Sequence, residues 1–160
     1  MAKVTIRGLE DKIAELEELS IQAPEIIRRT LYEGAGVVAD NMRQAIQGIP
    51  TDNRIGTPEN PVYGIQPLQK QGLEESFGIT PMQHENDGYN VLIGFDGYNG
   101  IRTKKYPGGQ PNQLIARSVE RGTSFRRAYP FVKKTVRSSK AAAQKKMLET
   151  YEEEVNKIMK

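Results

Sequence analysis

Apolar residues along the first 47 positions follow a helical period. Four of them recur at spacings of four and three between charged residues: Leu9, Ile13, Leu16, Leu19. This spacing places them on one face of an amphipathic helix over roughly 8–20. A second helix is predicted to begin at Pro24, whose fixed φ suits a first helical turn, and to end before Gly48. The segment 8–47 is therefore predicted to be a pair of helices.

Two glycines lie inside the predicted second helix, at Gly34 and Gly36. Each costs roughly 1 kcal/mol in a helix interior relative to alanine. We therefore expect them to permit close backbone packing or a bend.

Proline and glycine interrupt the segment 48–70. Pro50, Pro58, Pro61 and Pro67 lie within about 20 residues, which excludes a regular helix and disfavours a central strand. Long loops of this kind usually bind a partner or become ordered in an assembly. The segment is thus predicted to be either a loop that contacts a neighbouring subunit or partner, or a mobile insertion.

The segment 71–128 alternates between strand and turn signals. Leu73 to Thr80 and Tyr89 to Phe95 resemble strands, and the polar connection between them ends in Asp-Gly, which favours a hairpin. A glycine-rich loop follows, then a short helix from Gln113 to Arg121. Gly122 stands where a helix C-terminus favours a left-handed residue.

The segment 130–159 contains neither glycine nor proline after Pro130. One apolar line is expected along it: Val132, Val136, Ala143, Met147, Tyr151, Val155, Ile158. This pattern predicts one helix of some 30 residues. The fold class expected for the single domain 1–160 is α+β, with a small antiparallel β-sheet packed with an N-terminal helix pair and a long C-terminal helix.

Charge is distributed unevenly along the 160 residues. The net charge of +3 is the sum of −7 over 1–100, +12 over 101–146 and −2 over 147–160. Such asymmetry favours contact with an anionic partner, or contact between acidic and basic faces of identical subunits. The chain contains no cysteine, signal-peptide pattern or membrane-length apolar run, so we expect an unexported, soluble protein with no role at a membrane.

Few residues of the sequence have the type and spacing that a catalytic site requires. His84 is the only histidine, and it lies in a polar turn without the spacing of a metal or triad motif. The glycines at 94, 97 and 100 do not form a phosphate-binding motif. Glu74 and Glu75 are adjacent in a predicted strand, so their side chains would face opposite sides. We therefore expect no catalytic, metal-binding or cofactor-binding residues and no enzyme activity.

Cations concentrate between Arg102 and Lys146, with Tyr129 and Phe131 among them. Eight are candidates for an interface or a DNA-facing surface: Arg117, Arg121, Arg126, Arg127, Lys133, Lys134, Arg137, Lys140. This density of positive charge suits the binding of phosphate groups. No motif that recognises a particular base sequence accompanies it. A solvated helix face is the alternative interpretation.

Two sequence runs carry a family resemblance. The run from Ile115 to Ser124, followed by Pro130-Phe131-Val132, resembles the signature Y-A-x-x-[VI]-E-x-G-T-S … P-F-[LIV]. The upstream run from Pro67 to Phe77 resembles P-x(3–4)-T-G-x-L-x-x-S-[IV]. Both of these signatures are those of the tail-component family named after gene product ten of an HK-type phage, which this chain therefore resembles. Ten residues carry the match: Gly72, Leu73, Ser76, Val119, Glu120, Gly122, Thr123, Ser124, Pro130, Phe131.

The resemblance covers roughly 24–150 and has departures. Ile115 replaces the usual aromatic residue, Gln71 replaces a threonine, and the proline-rich loop is longer than typical. The resemblance implies an α+β subunit of a phage or prophage neck, of the tail-completion or head–tail joining kind, without catalysis. It further implies a homo-oligomeric ring, expected to be hexameric, that contacts connector and tail proteins. The expected location is the virion, after assembly in the host cytoplasm.

The residues also suggest a structural role for the motif. Glu120 is expected to hold Arg121, Arg126 or Arg127, and Pro130-Phe131 to begin the last helix with an apolar anchor. Two functions from different classes remain: a structural ring subunit, and an accessory protein that binds DNA non-specifically through the basic segment 101–146.

Overall fold

The structure is a computed structural model that describes residues 9–86 and 88–159. Four helices make up most of it: α1 (Leu9–Gln47), α2 (Pro67–Ser76), α3 (Asn112–Arg121) and α4 (Phe131–Ile158). Four short strands lie between α2 and α3: β1 (Phe77–Ile79), β2 (Gln83–Glu85), β3 (Gly88–Asn90) and β4 (Ile93–Phe95). The α+β class is confirmed, as is the long C-terminal helix.

The two long helices, α1 and α4, pack against each other in antiparallel directions. Asn41 Nδ2 donates to Ser139 Oγ at 2.9 Å near the start of α4, and Arg29 Nη1 pairs with Glu154 Oε2 at 2.9 Å near its end. This helix pair forms one side of the molecule. The remaining elements pack around the C-terminal half of α1 and the first turn of α4.

The predicted N-terminal helix pair is wrong, because α1 is a single helix that includes Pro24. A proline inside a helix removes one hydrogen bond and usually breaks or bends the helix. Here Pro24 and Ser20 are both exposed, so water can hydrate the Ser20 carbonyl that loses its amide partner. Just beyond the proline, Ile26 is buried, and packing of this kind favours continuation of the helix.

Helix α2 shows that two further predictions are wrong. The loop predicted for 48–70 ends at Gln66, and the strand predicted to begin at Leu73 begins only at Phe77. Pro67 occupies the first helical turn, and the Gln66 amide donates to Gln69 Oε1 at 3.1 Å. This local cap begins a helix where the proline count indicated a loop. Glu75 accepts a bond from Gln71 one helical turn earlier, as in a helix and not a strand.

The predicted hairpin is present but divided into two ladders. Strand β1 pairs with β4 through Phe77↔Phe95, and β2 pairs with β3 through Gln83↔Asn90. Three residues, 80–82, lie opposite two, 91–92, which is the arrangement of a β-bulge. Asp87 of the predicted Asp-Gly turn lies outside the described residues.

The core lies where α1, α2, α3 and the hairpin meet the first turn of α4. Its buried side chains include Ala39, Met42, Ile46, Ile49, Ile65, Leu73, Phe77, Ile115, Val119, Phe131. Ile115 and Val119 point inward from α3 as predicted. The ring of Phe131 packs edge-on against Phe95, with centroids 6.2 Å apart.

The inward face of α4 differs from the predicted apolar line. Val136 and Tyr151 of that line are about half exposed, whereas Ala143 is buried as predicted. Thr135 and Ser139, which the line omitted, are buried on the same helix. A Cβ at Gly34 of α1 would collide with the Met147 side chain, so the expected close approach is present at Gly34. Among the described residues, no atom beyond the adjoining stretch of α1 itself lies within 4 Å of such a Cβ at Gly36, so Gly36 has no packing role of this kind.

Candidate interaction surface

The joint between α3 and α4 is built by a residue of the signature. The carboxylate of Glu120 accepts hydrogen bonds from the backbone amides of Val132, at 2.7 Å, and Lys133, at 3.0 Å. These amides belong to the first turn of α4 and have no partner within that helix. Glu120 therefore caps α4 from α3, and the expected ion pair between Glu120 and a neighbouring arginine is wrong.

The turn after α3 depends on a left-handed glycine. Gly122 has φ of 74°, and a Cβ there would lie 2.9 Å from the Ala128 nitrogen. Thr123 and Arg126 exchange two backbone hydrogen bonds that close the following loop, and Ser124 is exposed within it. Pro130 is exposed immediately before α4. The chain thus returns to the end of α3 before α4 begins, where the Tyr129 amide donates to the Val119 carbonyl at 2.7 Å.

Arg126 is buried, although it is one of the eight cations that the sequence predicted for an interface or a DNA-facing surface. Its residue surface is 8% exposed, and its guanidinium donates to Ser118 Oγ and to Gln69 Oε1. Burial lowers the pKa of Arg126. Gln69 in turn donates to Gln110 Oε1 at 2.8 Å. Arg126 therefore joins α2, α3 and the loop before α4 from inside.

The upstream signature residues also lie in packed positions. Leu73 is fully buried, and a Cβ at Gly72 would lie 2.6 Å from Asn112 Oδ1. Asn112, at the start of α3, donates to the Asp96 carbonyl at 2.9 Å. Ser76, half-buried, ends α2. These residues hold α2, α3 and the end of β4 together.

Seven of the eight candidate cations form what we term the basic surface. It lies on α3, on the loop after it and on the first half of α4, and its members are exposed: Arg117, Arg121, Arg127, Lys133, Lys134, Arg137, Lys140. No side-chain ion pair with a carboxylate is formed by these seven among the described residues. From Phe131 to Lys146, α4 carries six cations and no carboxylate. Lys145 and Lys146 pair with Glu149 and Glu33, so it is the charge of the seven members of the basic surface that is available to a partner.

A groove lies beside the basic surface, between the C-terminal end of α1 and the start of α4. It measures about 720 Å³, and we term it the tyrosine groove after Tyr63 and Tyr129, whose rings meet edge to face at 6.0 Å. Its remaining lining includes Asn41, Gln44, Pro130, Lys134. A second shallow depression on α4 adjoins it and adds Lys133 and Arg137. The sequence pattern does not indicate this groove, because only the fold brings Tyr63 beside α1 and α4.

An acidic, partly apolar surface lies at the opposite end of α1. We term residues 9–18 the acidic tip, because they hold five carboxylates and one lysine. The apolar side chains of the tip are exposed: Leu9 by 52%, Ile13 by 46% and Leu16 by 54%. The amphipathic pattern is thus present, but its apolar stripe remains largely uncovered.

The proline-rich segment 48–66 lies against the body of the protein. Val62 accepts from the Arg127 amide and donates to the Phe125 carbonyl, and Lys70 Nζ donates to the Ile49 carbonyl. At its surface, hydrogen bonds from Arg54 lower the pKa of Asp52 to about 2. Ile55 remains strongly exposed at the outer turn of the segment.

The single histidine lies in the outer hairpin. His84 stacks on Tyr89 in the outer hairpin, with ring centroids 4.6 Å apart. Among residues 9–86 and 88–159, no group of three His, Asp or Glu side chains is placed to hold a metal ion. Within the same ranges, each helix is too short or too polar to cross a membrane.

Comparisons with protein-family models, with curated proteins and with solved structures found no match.

Proposed function

We propose that this chain is a structural virion protein of a phage neck, in which it completes the tail or joins head and tail. In this role it forms an oligomeric ring, hexameric in the particle, and contacts neighbouring connector and tail proteins. It has no enzymatic activity in this role. The two signature runs suggest this assignment, and the observation that carries it is the separation of an acidic tip from a basic surface.

The charge separation supports assembly of identical subunits. The acidic tip carries exposed leucine and isoleucine side chains, whereas the basic surface adjoins a groove lined by tyrosines. Opposite charges on different faces of one chain favour head-to-tail contacts, and such contacts close into rings when the rotation between subunits permits it. Most signature residues lie in packed positions, so they support the joint between α3 and α4 and leave the surface to partners.

A second function is favoured by the basic surface alone. Seven exposed cations on α3, α4 and their connection suit the phosphates of duplex DNA. An accessory protein that binds DNA non-specifically would use this surface as a monomer or dimer. A ring at the junction that lets DNA pass also accommodates such contacts along its channel.

Light-scattering mass in low and high salt, with and without random-sequence duplex DNA, separates these functions. We expect a ring-sized species whose mass does not depend on DNA. A small species that binds DNA with a steep salt dependence would instead favour the accessory protein. The variant Arg117→Glu/Arg121→Glu sharpens the comparison. Neither residue lines the tyrosine groove or the depression beside it, so the variant should weaken DNA binding and leave ring assembly unchanged.

A further inference from the structure

We infer that the acidic tip of one chain docks into the tyrosine groove of a second copy of the same chain. This inference rests on the proposed ring function and names the contact that builds the ring. The occupant of the groove is thus a helix that carries three exposed apolar residues flanked by carboxylates.

The acidic tip extends beyond its own helix partner. Arg29 pairs with Glu154, and α4 continues for only one turn past that contact, to Ile158. Helix α1 continues in the same direction for about five turns, to Leu9. Most of the tip therefore lies beyond α4, and Leu16, at its inner end, shares a depression with Tyr151 of α4. An amphipathic helix whose apolar face is exposed is typical of an interaction surface.

The tip and the groove match in length. Leu9 and Leu16 are separated by about 10 Å along the helix axis at 1.5 Å per residue. The α1 wall of the groove, from Asn41 to Gly48, spans the same seven residue steps. One apolar stripe of two helical turns thus fits along the groove, as in the binding of an amphipathic helix to a groove between helices.

The charges are complementary at the same place. Glu10 and Glu17 lie along one side of the apolar stripe, about 80–100° around the axis from Leu9. Lys134 lines the groove, and Lys133 and Arg137 lie beside it on α4. Apolar burial in the groove and ion pairs at its edge would therefore act together.

The geometry excludes docking within one chain. The tip and the groove lie at opposite ends of the same continuous helix, and Ile13 and Gln44 are about 46 Å apart along it. The contact can form only between copies. Because each copy offers one tip and one groove, two copies that exchange tips form a closed dimer, whereas one-way docking generates a closed ring or an open filament.

Charge-reversal variants of the full chain test the docking. Glu10→Lys/Glu17→Lys should weaken self-association by about tenfold or more, measured as the dissociation constant by sedimentation or light scattering. The matched control is Asp11→Lys/Glu18→Lys. It makes the same change of charge in the same turns but on the opposite face of the helix, and should leave the constant within about twofold.

The groove side has its own variant and rescue. Lys134→Glu/Arg137→Glu should weaken association as much as the tip variant, whereas Arg117→Glu/Arg121→Glu on α3 should not. A chain that combines the tip and groove reversals restores opposite charges, so its association should recover. Circular dichroism confirms that each variant retains the wild-type helix content.

The outcomes separate this inference from the proposed function. An oligomer that is equally sensitive to both tip variants, or to neither, overturns the docking and leaves ring assembly standing. Wild-type chains that stay monomeric at every concentration in low salt overturn both the docking and the self-assembly of the ring. Selective loss in the tip and groove variants, with recovery in the combined chain, supports the docking.

Discussion

Individual residues of the signature join elements that are distant in the chain. Glu120 caps α4 from the last turn of α3, and Phe131, 2% exposed, fixes the first residue of α4 in the core. Arg126 holds α2 and α3 together from inside. The orientation of α4, and with it the direction of the basic surface, therefore depends on a few buried contacts.

Replacement of Glu120 by alanine should lower the free energy of unfolding by about 1–2 kcal/mol, because two amides of α4 lose their acceptor. Urea denaturation measures the change. Glu74→Ala, at an exposed position of α2, is the control and should have a much smaller effect. Equal effects in both variants would show that the cap contributes nothing specific.

Truncation of Phe131 to alanine should cost roughly 3–5 kcal/mol, since it removes a buried ring from the centre of the core. Thermal denaturation detects this as a large fall in Tm. Phe125→Ala is the matched control, because Phe125 is about half exposed. Near-wild-type melting of the Phe131 variant would contradict the placement of this residue.

The packing of α4 against α1 depends on small side chains. Buried Thr135, Ser139 and Ala143 form the face of α4 that meets α1, and Gly34 of α1 leaves room for Met147. Small residues let the two helices approach closely without a continuous apolar stripe. This explains why the predicted line through Val136 and Tyr151 was wrong.

The two glycines of α1 should respond in opposite directions to alanine. Gly34→Ala should destabilise by about 1–3 kcal/mol, because the added methyl group displaces Met147. Gly36→Ala should stabilise by roughly 0.5–1 kcal/mol, since the site is open and alanine favours a helix. Guanidinium denaturation of the two variants provides the comparison. Stabilisation by both would argue against close packing at Gly34.

The whole molecule is an elongated helix pair with a compact body at one end. Most of the acidic tip lies beyond the end of α4, and the tyrosine groove and basic surface lie near the body. This separation gives one chain two different ends. Such polarity is the property that head-to-tail assembly requires.

Assembly should change hydrogen exchange at the two ends of α1, in the acidic tip and along the tyrosine groove. In the dissociated protein, amides of residues 9–18 should exchange faster than those of the α1 half that packs on α4, because no partner helix protects them. In the oligomer, the tip should gain protection together with the groove residues. Mass spectrometry of exchange at two protein concentrations measures this, and unchanged exchange at the tip would contradict its role in assembly.

Local signals in the sequence determined several features. The period of the apolar residues gave α3, most of α4 and the amphipathic character of residues 9–18, while Gly122 was correctly placed as a left-handed helix end. The hairpin followed from two apolar runs joined by a polar connection. These features depend on neighbours within a few positions, which is why they can be predicted from the chain alone.

Tertiary structure decided the rest. Packing lets α1 continue through Pro24. It also buries Arg126, whereas the other seven candidate cations are exposed. Glu120 caps α4, a helix that begins eleven residues after it. The tyrosine groove combines Tyr63 with residues of α1 and α4. Each outcome depends on contacts between distant parts of the chain, whose energies outweigh the local preferences that the sequence displays.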